Sequence, residues 1–105
     1  MIDKTKLAIA LRMAIEEVGA KFVGKNLEGK KVDDAEVYLQ SELSEATAKV
    51  FNDCGVSERV SSKFKWEVKF VTDPPFNGMF VMIPTINGAR NDDFVKALVR
   101  MQNAN

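Results

Sequence analysis

The residues from Lys63 to Phe70, KFKWEVKF, alternate charged and large apolar side chains without a break. Strict alternation has the two-residue period of a β-strand. Phe64, Trp66, Val68 and Phe70 therefore share one face, and Lys63, Lys65, Glu67 and Lys69 share the other. A helix would scatter both sets around its circumference. The stretch commits the chain to a sheet with one buried face, and the rest of the sequence has to supply the cover.

Turn chemistry follows in Asp73-Pro74-Pro75-Phe76-Asn77-Gly78, where two prolines cannot donate to a ladder and Asn-Gly suits positive φ. Met79 to Ile83 reads as a second strand, closed by Pro84 and the Asn87-Gly88 pair. The two strands predict a β-hairpin over roughly Lys63 to Thr85. A lone two-stranded hairpin is marginally stable and must lie on helices or join further strands. The second strand sharpens the demand, because Met79, Val81 and Ile83 on one face and Phe80 and Met82 on the other are all apolar. One helical layer satisfies the first strand; the second asks for another layer or another subunit. A homodimer that pairs hairpins across a two-fold axis into a larger sheet is one expected solution.

Three helical segments are available. Leu7, Leu11, Ile15, Val18 and Phe22 recur at helical spacing across residues 3–23, with Asp3 or Thr5 as cap and Gly24 as stop, although Gly19 could end the helix early. The polar connection 24–32 leads to Asp33 and Glu36, a capping-box spacing, then to the stripe Leu39, Leu43, Ala46, Val50 and Cys54. Gly55 stands where a helix C′ glycine belongs. Ser57 to Ser62 reads as a polar link. Asn91, Asp92 and Asp93 open a third helix that carries Phe94, Leu98 and Met101, with a frayed tail from Gln102. The expected fold is a single α+β domain over residues 1–105 in the order α-α-β-β-α, its antiparallel hairpin packed against helices.

Several chemistries are excluded by composition. Histidine is absent, which removes imidazole-activated nucleophiles and histidine metal ligands. The stretch from Gly24 to Lys31 has the spacing of a phosphate-binding loop but puts Lys31 where Ser or Thr is needed, and it follows a helix pattern rather than a strand. Asp33-Asp34 and Asp92-Asp93 read as caps and lack the alternating spacing of a calcium loop. No catalytic residue, cofactor or metal is expected, and an enzyme here would have to work with carboxylates, lysine, tyrosine or backbone groups alone. No apolar run approaches the ~18 residues of a membrane span. The single Cys54 fits a reducing compartment, so a cytoplasmic protein is expected.

Net charge is zero, but it is unevenly placed. Residues 33–58 set seven acidic side chains against Lys49 alone, whereas 59–72 set Arg59, Lys63, Lys65 and Lys69 against Glu67. The leading expectation is a small non-enzymatic binding or regulatory module acting through protein-protein contacts, with Asp34, Glu42 and Glu45 on the acidic helix as partner-binding residues. Small accessory proteins of phages and mobile elements share this character by association. The alternative is a nucleic-acid binder using Arg59, Lys63, Lys65, Lys69 and Arg90 on the basic side of the hairpin.

Overall fold

A computed structural model describes residues 2–22, 32–71, 73–74 and 79–104 of the chain. The connection 23–31, with its glycine-lysine motif, and the turn residues 75–78 lie outside the described residues. The fold is α+β: helices α1 (Lys4–Phe22), α2 (Val32–Asp53) and α3 (Glu58–Ser61), strands β1 (Phe64–Val71), β2 (Met79–Ile86) and β3 (Ala89–Arg90), then helix α4 (Phe94–Asn103). The strands form one antiparallel sheet in the order β1-β2-β3. Trp66 stands opposite Pro84 and Val68 opposite Met82; Thr85 is paired with Lys65 on one side and Arg90 on the other.

Local chemistry accounts for the helix ends. Asp3 caps α1, its Oδ1 accepting the backbone N–H of Thr5 at 2.9 Å and of Lys6 at 3.2 Å. The helix continues through Gly19 to Phe22, because Leu7, Leu11 and Val18 are buried and hold it down along its length. The end of α2 is a Schellman motif: Val56 N–H reaches Phe51 C=O at 2.8 Å, Gly55 N–H reaches Asn52 C=O at 3.2 Å, and Gly55 has φ +80°. Val56 and Phe51, the two apolar residues that frame such a motif, are both buried in the core.

Several elements depart from expectation. Helix α2 starts at Val32, so Asp33 sits inside its first turn rather than ahead of it; the side chain of Asp33 lies outside the described residues. The link expected over Ser57 to Ser62 contains α3, because Val60 is fully buried and one helical turn is the shortest way to deliver it. Strand β2 runs on through Pro84 to Ile86, and Asn87 (φ 53°) with Gly88 (φ 84°) forms a two-residue turn into the short β3. Asp93 precedes α4 without a side-chain cap; Asn91 Oδ1 accepts the Asp93 N–H at 3.0 Å instead. The tail does not fray at Gln102, whose Oε1 accepts the Ser57 N–H at 2.8 Å, while Asn103 Oδ1 accepts that of Ile2 at 3.3 Å.

The helices gather on one side of the sheet. Helix α2 packs on β1, α4 on β2, and α1 on α2 and α4. Phe64, Trp66 and Val68 enter a core that includes Leu7, Leu11, Leu39, Leu43, Phe51, Val60 and Leu98. The Phe94 ring lies 4.8 Å from that of Phe64 and 5.8 Å from that of Trp66.

Two glycines give opposite predictions. A Cβ at Gly19 meets nothing within 4 Å, so Gly19→Ala should stabilise the fold by about 0.5–1 kcal/mol. Gly55→Ala forces a side chain into the left-handed region at φ +80° and should destabilise by about 1–2 kcal/mol. Urea denaturation of both variants checks the pair, and the same sign for both would contradict it.

Candidate functional site

Which backbone groups of the hairpin face outward follows from two hydrogen bonds. Asn87 N–H donates to Lys63 C=O at 2.9 Å, in register with the β1–β2 ladder. Bonded pairs alternate along an antiparallel ladder, so odd-numbered residues of both strands bond across it and even-numbered residues present N–H and C=O outward. Asn91 N–H donates to Pro84 C=O at 2.9 Å from the β3 side, as this parity requires. The missing N–H of Pro84 thus falls on the outer side of β2, where no β1–β2 bond is lost.

Helix α2 closes part of the β1 edge. Gln40 Nε2 donates to Trp66 C=O at 2.6 Å, and Phe70 N–H donates to Glu36 Oε1 at 2.8 Å. Glu36 and Gln40 are one helical turn apart, so a polar pair that resembles a solvated face is the seal of a sheet edge. Glu36 was expected in a capping box; it serves the strand instead. The β2 edge is closed at its far end by β3 and Asn91. Between these, the outward N–H and C=O of Phe80 and Met82 have no neighbouring strand among the described residues.

Burial falls along the hairpin away from the helices. Phe64, Trp66 and Val68 are buried, Phe70 and Phe80 are half-buried, and Met79 and Met82 are 56% and 38% exposed. On the face turned from the helices, β1 presents Lys65, Glu67, Lys69 and Val71, with Lys63 just ahead of the strand, and β2 presents Met79, Val81 and Ile83 opposite Val71, Lys69 and Glu67. Thr85 is buried on this face between Lys65 and Arg90, with its Oγ1 donating to Lys65 C=O at 2.9 Å.

The fold brings Lys63, Lys65, Lys69 and Arg90 onto one surface, while Arg59 stands apart, exposed on α3. Glu67 lies between the lysines, and Asp92 holds Arg90 at 3.0 Å. Phe64 and Trp66 point away from this surface into the core, so the aromatics are not a stacking platform for bases. The acidic residues of α2 separate. Asp34 and Glu45 are exposed, eleven residues apart on one helical ridge. Glu42 is half-buried and turns toward α1, where its carboxylate meets Lys21 Nζ at 3.5 Å.

A cleft of about 430 Å³ runs between α2, α3 and the start of β1, with Phe51, Phe64 and Trp66 among its lining. Glu58 and Lys65 are its ionisable residues among those described, so it holds no pair of carboxylates for acid-base work. Among the described residues no group of acidic or cysteine side chains could hold a metal ion, and no helix is long and apolar enough to cross a membrane. Comparison with family models, curated proteins and solved structures finds no match to this chain.

The edge seal carries a prediction. Gln40→Ala and Glu36→Ala should each cost about 0.5–1.5 kcal/mol, the net value of one hydrogen bond. Glu36→Ala should also speed amide exchange at Phe70 more than at Lys69, whose N–H lies within the ladder. Equal changes at the two amides would mean that Glu36 does not hold the edge.

Proposed function

We propose that this chain is a non-enzymatic protein-binding module whose docking surface is the outer face of the hairpin. One observation supports the reading above the rest: on the face that the helices leave open, the apolar row Met79, Val81, Ile83 stands opposite Val71, Lys69 and Glu67 of β1, with Lys65 farther along the same row. A polar rim beside an apolar strip is the composition of a non-obligate interface. The chemistry fits a partner segment that is apolar on one side and acidic along its border, since the cations would steer it and the apolar row would hold it. The ridge of Asp34 and Glu45 is the weaker surface, because among the described residues the one large apolar side chain exposed beside it is Val37, 66% accessible.

The alignment of Lys63, Lys65, Lys69 and Arg90 supports nucleic-acid binding as the second reading. Glu67 and Asp92 weaken it, because each sits among the cations it would have to use.

Peptides selected from a random library on the purified chain separate the two. Under the protein reading they are enriched in alternating acidic and apolar residues. Their affinity should fall roughly tenfold in Met79→Thr/Ile83→Thr and in Lys65→Glu/Lys69→Glu, and hold in Asp34→Lys/Glu45→Lys. Saturable binding of a single-stranded oligonucleotide that weakens with salt, is lost on reversing the lysines and ignores the Met79 and Ile83 changes would establish the second reading instead.

A further inference from the structure

We infer that the open edge of β2, residues 79–83, pairs with the same edge of a second copy of this chain in an antiparallel two-fold arrangement centred on Val81. The inference rests on reading the hairpin as an interaction element, but it concerns the edge of the sheet rather than its outer face.

The argument begins with what the rest of the sheet does. Glu36 and Gln40 engage Phe70 N–H and Trp66 C=O on the β1 edge, where charged residues alternate along the strand, and β3, Asn91 and Pro84 finish the far half of β2. Edge strands that stay solvated are usually blunted by charge, proline or a bulge. The segment Met79-Phe80-Val81-Met82-Ile83 carries none of these, and all five of its residues are apolar. A strand neighbour is therefore the cover that both its backbone and its side chains fit.

Parity also lets a second copy fill this place without leaving an outward group of Phe80 or Met82 unpaired. The outward-facing residues are Phe80 and Met82, the parity of Pro84. Rotation about Val81 sets Phe80 of one copy opposite Met82 of the other, twice over. Each such pair exchanges two N–H···O=C bonds, so all four outward N–H and C=O groups on each copy are satisfied at once. Met79 falls beside Ile83 of the second copy, apolar against apolar. No charged residue lies in the segment to oppose this, and the chain as a whole has zero net charge. The pairing also closes: once two edges meet about a two-fold axis, neither copy has a further open stretch of β2 to extend a fibre.

Met82→Pro tests the edge while sparing the hairpin. Its N–H faces outward, so proline there removes an intermolecular donor and blocks the approach of a strand without breaking a β1–β2 bond, as Pro84 already does two residues on. By light scattering at tens of micromolar, the native chain should have twice the 11.7 kDa of one copy. The Met82→Pro chain should have the single-copy mass with an unchanged circular dichroism spectrum. In a Cys54→Ser background, Val81→Cys should form a disulfide-linked dimer on mild oxidation, because facing residues of a non-bonded pair lie about 4.5 Å apart. Ile83→Cys should not, its two copies being offset by roughly 14 Å along the strands. A single-copy mass for the native chain overturns the inference, as does cross-linking of Ile83→Cys in preference to Val81→Cys. Neither result touches docking on the outer face, since Met82 points to the opposite side and the peptide titrations are read independently.

Discussion

Trp66 is the residue on which sheet and helices agree. Its ring is buried, edge-on to Phe64 at 5.2 Å. Its indole N–H donates to Thr47 Oγ1 at 3.3 Å and its carbonyl accepts from Gln40 at 2.6 Å. A buried threonine inside a helix needs its hydroxyl occupied, and Thr47 achieves this by donating to Leu43 C=O at 2.8 Å while accepting from the indole. The position of α2 along β1 is thus set by polar contacts on both the side chain and the main chain of one residue. A slip of one position would put Lys65 or Glu67 into the site that the indole fills and turn every side chain of β1 to the wrong face. Register and helix placement are one constraint here.

From that anchor the asymmetry of the molecule follows. With α2 fixed over β1 and Phe94 of α4 placed against Phe64 and Trp66, the helices are committed to the even-numbered face. Helix α1 packs on α2 and α4. Leu7, Leu11 and Val18 therefore enlarge the same core. The opposite face is left with lysines along β1, which solvent satisfies, and an apolar row along β2, which it does not.

The alternation in β1, the stripe of α2 and the C′ glycine were legible because each is a repeat or a residue with a single conformational use. Shorter features were not. Helix α3 is one turn long, below the length at which a helical period can be seen, and Val60 alone marks its inward side. Strand β3 has two residues, so Asn87-Gly88 looked like an end rather than a turn. Pro84 was read as a strand terminator because the sequence does not say which side of a strand has a neighbour; on the outer side the missing N–H costs no ladder bond. Glu36 reads as a capping residue and Gln40 carries no signal for a similar reason, as their partners are main-chain groups more than twenty residues away. The lysine row was visible in the alternation itself, whereas the addition of Arg90 depends on β3, and the divergence of Glu42 from Asp34 and Glu45 depends on where α1 lies.

The edge and the outer face of β2 make separate demands, and meeting one does not spend the other. Backbone pairing uses groups that lie in the plane of the sheet, while Met79, Val81 and Ile83 project out of it. Under the proposed two-fold pairing, the apolar rows of two copies become neighbours at the centre of a continuous sheet, with a lysine row beyond each. The docking surface is then wider than in one chain and symmetric, so a partner with two suitable segments gains from engaging both. An unpaired chain, by contrast, leaves an uncharged apolar edge beside an apolar face, the combination most prone to indiscriminate strand addition. Self-pairing would therefore protect the hairpin and build its surface through the same four residues' worth of main-chain contacts, Phe80 and Met82 from each copy.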